Sequence, residues 1–346
     1  MIILLYLTQA YEVYFMKKYV LIFTICCVSL SLLFMACQRR TGGDGDIVYR
    51  LKWLMNSGAA GSLYANANGF FHDEGLKVSI RPGGVERDAI TELEMGRAQF
   101  GVASGDQIIR AIDKNAPICI LAQLFQKSPM CWMYYKKRVS INALQDLRGK
   151  TIGITFGNED ETIMKAILQK ARLQISDVHL YSVRYDYTPF YTGKVDLWPI
   201  YLNSNGVIIQ EKLHQANETI GFFIPHDFGI QFVGNSVITT KKFSTEQPVI
   251  VQKFCKALLK GWETALSDPT IEQTIKIINS FDPTTDARLI RKQLQSSLPL
   301  MKPEPDVPIG RINIDAWKQT EKTLLSQKII SKPVLNRSKT GIFCNY

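Results

Sequence analysis

From Ile47 onward, short apolar runs alternate with amphipathic stretches in a β-α-β-α rhythm. Residues 47–55 read as a strand, 59–71 as a helix and 77–81 as a strand bounded by Pro82-Gly83-Gly84. Over 88–95 the apolar residues Ala89, Ile90, Leu93 and Met95 give a largely one-sided face, which predicts a helix. A short strand at 99–103 and a helix at 107–112 follow, and the continuous apolar runs at 118–125 and 130–135 predict two more strands. The rhythm restarts after Lys136-Lys137-Arg138, with a short helix at 141–147, a strand at 150–155 and a helix at 161–171. A second small sheet is expected from 178–183, 195–200 and 219–224; from Ser244 the pattern is helical. Alternation of this kind argues for an α/β fold with largely parallel sheets. The restarts near 136 and 233 divide it into two lobes joined by two crossings. Lobe I is then discontinuous, 47–136 plus 234–346, and lobe II is 137–233.

The first 36 residues do not share this rhythm. Met16-Lys17-Lys18 is a short basic region, and from Tyr19 to Met35 the chain is almost unbroken apolar sequence. Small residues lead into Cys37, and a turn-rich polar stretch follows it. This is the layout of a secretory signal, with Met16 as the expected start and 37–46 as a tether. Leu33-Phe34-Met35-Ala36-Cys37 resembles a bacterial lipobox, with Phe34 in place of the usual Leu. The resemblance implies lipidation at Cys37 and attachment of the mature protein to the outer face of the cytoplasmic membrane. A plain membrane anchor is the alternative, since about 17 apolar residues are borderline for spanning.

Composition narrows the function classes. Hydrophobic residues make up 46% and charged residues 21%, which excludes wholesale disorder and a polytopic membrane protein. The 41 Lys and Arg exceed the 31 Asp and Glu by ten, but the excess is spread along the chain. Nucleic-acid binding is not expected, because it calls for a clustered basic stripe. The seven cysteines include no Cys-x-x-Cys pair, and the four histidines lack ligand spacing, so no metal site is expected. Cys119 and Cys131 sit in neighbouring apolar runs as buried thiols or a disulfide; an exported protein permits the bond.

Enzyme signatures fail on inspection. Gly149-Lys150-Thr151 resembles the end of a phosphate loop, but Leu144 replaces its first glycine and a strand follows where a helix is required. Gly101 to Gly105 has the wrong spacing for a nucleophile elbow. No catalytic residue and no cofactor is expected. What stands out is polar and aromatic residues at strand ends: Trp53 and Asn56; Gln126-Lys127-Ser128-Pro129; Gly157-Asn158-Glu159-Asp160-Glu161; Trp198, Tyr201 and Asn203; and Asp227 before the return crossing. Ligands of open α/β sheets sit at the carboxyl ends of strands. Aromatic rings there offer stacking faces and the amides and carboxylates directional hydrogen bonds, which suits a small, flat, polar ligand. Each residue also has an ordinary explanation. Trp53 fits a core aromatic, Asp160 a favourable charge in a helix's first turn, and Asp196 a turn residue.

The residues match a family pattern in order. Trp53-x-x-Asn56-x-x-x-x-Gly61, Gly69-Phe70-Phe71-x-x-Glu74-Gly75-Leu76 and Arg81-Pro82-Gly83-Gly84 open it. Gly96-x-Ala98-x-Phe100-Gly101-Val102-Ala103-Ser104, Gln126-Lys127-Ser128-Pro129, Gly193-Lys194-Val195-Asp196, Tyr201-x-Asn203 and Asp227-Phe228-Gly229-Ile230 continue it. The chain resembles the family that groups sulfonate-binding proteins with thiamin-pyrimidine synthases. This resemblance implies a two-lobed type II periplasmic-binding-protein fold, each lobe a mixed, mostly parallel sheet flanked by helices. It also implies a monomer that delivers a small, heteroaromatic nutrient, such as a thiamin-precursor pyrimidine, to an ABC permease. Carried over by position, Trp53, Asn56, Trp198, Tyr201 and Asn203 line the cleft; Gln126, Asp160 and Asp227 are added from the strand-end reading. Two positions depart from the pyrimidine-binding branch, which usually has a His near Ala59 and an acidic residue where this chain has Ser204. The alternatives are a pyrimidine-synthase-like enzyme, against which the missing Cys-rich loop and the export signal count, and a lipoprotein that senses without transport.

Overall fold

The computed structural model describes residues 46–335, apart from 85 and 185, together with 342–344. The expected signal segment, lipobox and Cys37 lie outside the described residues. From Asp46 the chain is one compact unit. Its strands are β1 (Ile47–Arg50), β2 (Val78–Arg81), β3 (Phe100–Ser104), β4 (Ile118–Gln123), β5 (Met130–Tyr135), β6 (Thr151–Ile154), β7 (His179–Ser182), β8 (Trp198–Tyr201), β9 (Ile220–Phe223) and β10 (Asn235–Thr240). Helices α1 (Ala60–Ala67) and α2 (Phe70–Asp73) lie between β1 and β2, and α3 (Ala89–Glu94) and α4 (Gly105–Asp113) flank β3. In lobe II, α5 (Glu159–Ala171) follows β6, α6 (Thr188–Tyr191) precedes β8 and α7 (Asn205–Gln215) follows it. The tail is helical: α8 (Lys241–Glu246), α9 (Pro248–Ala265), α10 (Ile271–Phe281), α11 (Ala287–Met301) and α12 (Ile314–Ser326).

Lobe I holds a five-stranded sheet in the order β2-β1-β3-β10-β4. The pairs β1–β2 and β1–β3 are parallel, whereas β10 is antiparallel to both β3 and β4. Lobe II holds the antiparallel set β8-β5-β9 and the parallel pair β6–β7. The Trp132 indole ties these two together, donating to the Gly153 carbonyl at 2.9 Å. β4 and β5 are buried along their whole length, which is why both read as continuous apolar runs instead of alternating ones.

Three expectations change. Met130–Tyr135, read as the end of lobe I, pairs with β8 and β9, so the first crossing is 124–129 and not 136. The sheets are mixed and less parallel than expected, because β5 and β10 enter their sheets directly from a crossing and run against their neighbours. β10 itself fell in the gap before the helical tail. Its Val237-Ile238-Thr239-Thr240 run is the β-branched signal that marks it.

Each lobe has its own tightly packed core. In lobe I, α1 crosses α9 at two glycines. A Cβ on Gly61 would lie 2.2 Å from the Trp262 ring, and one on Gly261 would lie 2.5 Å from Ala65 Cβ. Below this contact Phe254 stacks on Phe100 at 3.6 Å between centroids and on Phe71 at 5.3 Å. Such pairs add roughly 0.5–1.5 kcal/mol each beyond their burial. The chain end is clasped to the opposite edge. Cys344 is disulfide-bonded to Cys119 in β4, and Ile120 and segment 342–344 exchange backbone hydrogen bonds of 2.7 and 3.0 Å. The buried Glu321 carboxylate accepts from the Val334 and Leu335 amides at 2.6 and 2.8 Å. Of the two states left open for Cys119 and Cys131, Cys131 is a buried free thiol in β5 while Cys119 is bonded to a different partner, Cys344; Cys255 is another buried free thiol in α9.

Two outcomes are expected. Gly61→Ala must push α9 away from α1, and urea unfolding should register a loss of about 1–3 kcal/mol. Cys344→Ser opens a clasp that closes more than 200 residues (sequence separation 225); its unfolding free energy should fall by about 2–5 kcal/mol, and reductant should then have no further effect.

Candidate functional site

The two lobes face each other across the carboxyl ends of their strands, and there they share one carboxylate. Glu159, the first residue of α5, is only 7% exposed. The Ser128 hydroxyl, from the first crossing, donates to its Oε1 at 2.9 Å. The Tyr201 hydroxyl, at the end of β8, donates to its Oε2 at 3.1 Å. From lobe I, just beyond β1, the Lys52 ammonium reaches the same Oε2 at 3.5 Å and lies 5.7 Å from the centre of the Tyr201 ring. Burial, and next the neighbouring Glu159 charge, hold the Tyr201 hydroxyl well above its ordinary range, so it stays a donor.

A second bridge lies beside the first. The guanidinium of Arg110, on α4, pairs with the buried Asp106 and donates to the Gly157 carbonyl at 3.3 Å. On lobe II the loop that opens α5 satisfies its own amides. Thr155 N–H donates to Asp160 at 2.6 Å and Gly157 N–H to Glu161 at 2.7 Å. The rim of lobe I is shaped by Gly83, whose amide donates to the Trp53 carbonyl at 2.8 Å. A Cβ there would strike the Leu51 carbonyl at 2.0 Å, so only glycine lets the 82–84 loop rest on the end of β1.

The expected site residues fall into different places. Tyr201 faces the shared carboxylate. Trp53 stands at the rim with 42% of its surface exposed. Asn56 turns back to cap the Ser57–Ala59 turn, accepting from Gly58 N–H at 3.0 Å. Gln126 spans the crossing, donating to the Arg311 and Gln123 carbonyls at 2.6 and 3.2 Å. Asn203 reaches α11 and donates to the Ser297 hydroxyl at 2.9 Å, while Gln293 donates to the Ser204 carbonyl at 3.2 Å. Asp227 is exposed on the return crossing. Trp198 is buried to 1% against Phe190 and Tyr187, because it and Tyr201 sit three apart on a strand and so face opposite ways. In this conformation its ring offers no face to the cleft. Glu159 and Ser128 lie inside loops singled out by sequence but were not chosen there; Lys52, Asp106 and Arg110 carried no signal beyond their position next to strand ends.

Asp160 is 2% exposed, and burial pushes its carboxyl up to about 6, against the Thr155 hydrogen bonds that favour its charge. Among the described residues no group of three or more His, Cys, Asp and Glu is placed to hold a metal ion. In the small crevice between the crossings, burial and then Lys127 hold His226 below its usual range.

A carboxyl raised on folding binds its proton more tightly in the native state. Its contribution to stability is therefore full below about pH 4 and is lost as pH rises through about 6. Asp160→Asn keeps the acceptor for Thr155 and removes the charge. Chemical unfolding should show the variant gaining on the wild type by on the order of 2–3 kcal/mol between pH 4 and pH 7.

The arrangement of two sheet-based lobes and two crossings defines the class: this is the two-lobed periplasmic-binding-protein fold. Among solved structures it is similar to the periplasmic aliphatic sulphonate-binding protein SsuA from Escherichia coli, with a TM-score of 0.66 at 15% identity over 84% of this chain and 90% of that one. The chain belongs to the NMT1/THI5-like family, whose profile matches residues 56–271. It is 24% identical over 324 residues to the formylaminopyrimidine-binding protein of Halalkalibacterium halodurans, covering 90% of this chain and 96% of that protein. It is also 24% identical over 306 residues to the riboflavin-binding protein RibY of Chloroflexus aurantiacus, covering 84% of this chain and 83% of that protein. The resemblance read from the motifs is the family to which the chain belongs.

Proposed function

We propose that this protein is the solute-binding component of an ABC importer and captures a small heteroaromatic nutrient between its lobes. The observation that carries the reading is the shared carboxylate. Glu159 of lobe II is contacted from lobe I by Lys52 and from the crossing by Ser128, as a closing cleft requires. Two full-length relatives whose names specify a pyrimidine and a flavin support a heteroaromatic ligand. Trp53 and Tyr201 supply ring faces; Trp198, Asn203 and Gln126 hold strand β8, α11 and the crossing in register; Asp160 fixes the loop that presents Glu159. Asn56 and Asp227 sit at the ends of segments that reorient as the lobes close.

In this reading the mechanism is a population shift. Ligand binds both lobes and so favours the closed arrangement, which a permease then recognises. Cys37 tethers the protein to the outer face of the cytoplasmic membrane as a lipid-anchored monomer, and no catalytic step is involved.

The test is calorimetry and thermal shift of residues 38–346 against aminopyrimidines, riboflavin, aliphatic sulfonates and pyridoxal phosphate. A cognate ligand at a hundredfold excess over its Kd should stabilise by roughly 2.7 kcal/mol. Tyr201→Ala should abolish that shift. A folded sample that binds none of the heteroaromatics, or that chemically consumes pyridoxal phosphate, overturns the proposal.

A further inference from the structure

The Glu159 carboxylate and the Tyr201 ring together make a box for a cation. An aromatic face within about 6 Å and a buried carboxylate are the two features that hold an ammonium or a protonated ring amine. Here the box is filled from within by Lys52, at 3.5 Å from the carboxylate and 5.7 Å from the ring centre. Among the described residues, Lys52 is the most distant of the partners of Glu159 and the one contributed by lobe I. Its side chain is also the more accessible member of the pair, at 23% against 7%. Ser128 and Tyr201 are neutral donors, so without Lys52 the carboxylate is a buried charge without a counter-charge, a costly state.

We propose that the Lys52 ammonium is a built-in stand-in for the ligand, and that Glu159 and Tyr201 form the subsite for a positively charged amino-heteroaromatic group that displaces it. The inference rests on the solute-binding reading above and deepens it by fixing the ligand's charge class. The remaining charges agree with it. Arg110 pairs with Asp106 and donates to the Gly157 carbonyl, while Asp160 and Glu161 accept from the Thr155 and Gly157 amides of the loop before α5. A sulfonate or phosphate entering here meets the carboxylates of Glu159, Asp160 and Glu161 in the first turn of α5.

The competition gives an experiment in which two variants move oppositely. Calorimetry is run with an aminopyrimidine carrying a protonated aminomethyl group, with the same ring carrying a neutral hydroxymethyl group, and with its phosphate ester. Wild type should prefer the cation over the neutral ring by about tenfold or more, the equivalent of about 1.4 kcal/mol, and the phosphate should bind least. Lys52→Met removes the competitor, and the cation's preference should rise about tenfold again. Glu159→Gln should collapse the preference to near one, and far-ultraviolet circular dichroism verifies that both variants are folded. A preference that falls in Lys52→Met makes the lysine a latch between lobes and overturns the inference. Equal binding of cation and neutral ring by wild type overturns it too, while leaving solute binding intact. Failure to bind any heteroaromatic overturns both.

Discussion

A carboxylate that is 93% covered must be compensated, and the way Glu159 meets that demand organises the molecule around it. Its partners come from lobe I, the first crossing and lobe II, so while it is buried the charge is satisfied by those three parts in register. Separation of the lobes would expose the carboxylate to water, which also satisfies it. The buried arrangement is then held by geometry as well as by attraction, and a ligand able to replace Lys52 changes which geometry is favoured. Hydrogen bonds to an ionised group are typically about twice as strong as neutral ones, and two of them converge here.

The lobe closure proposed here needs stiff bodies and compliant joints. Stiffness in lobe I comes from the glycine crossing of α1 and α9 and from the clasped chain end; both remove side-chain freedom near the sheet. In lobe II it comes from the aromatic cluster of Tyr135, Phe190 and Trp198 packed on β8. The joints are the segments 124–129 and 224–234, which lie outside the sheets but anchor themselves through buried Phe125, Phe232 and Val233 and through the Gln126 amide. Across α11, Asn203 donates to Ser297 in a neutral hydrogen bond worth about 0.5–1.5 kcal/mol net, and Arg288 and Lys292 add surface ion pairs to Glu211 of α7, each worth about 0–1 kcal/mol. Such bonds set a preferred position without locking it.

Much of this was legible before the structure. Buried strands β4 and β5 announced themselves as apolar runs, and the helices α3 and α5 by one-sided periodicity. What failed did so for physical reasons. Where β5 belongs depends on which sheet it pairs with, and an apolar run says nothing of its partner. β10 is short and β-branched but lies against a helical tail whose pattern dominates the window. At the site, Tyr201 and Trp198 came from the same strand end, but strand alternation sends their rings to opposite faces: Tyr201 to Glu159 and Trp198 into the cluster with Phe190 and Tyr187. Lys52 and Glu159 sit 107 positions apart. Their pairing is created by the crossing of the lobes, and no local pattern encodes it.

The departure at Ser204 gains meaning from this arrangement. The pyrimidine-binding branch that the chain resembles places a carboxylate directly after the Tyr-x-Asn motif, on the loop between β8 and α7. Here that position carries a hydroxyl, and the Ser204 carbonyl is engaged by Gln293 of α11. The carboxylate facing the cleft stands instead at the first residue of α5, against the ring of the same tyrosine. An anionic acceptor therefore stands beside the Tyr201 hydroxyl on a different loop of lobe II from Ser204. A ligand read by this pair would present its donors from a different edge. Chains sharing motif and fold can therefore differ in ligand without any change in the sheets that carry the site.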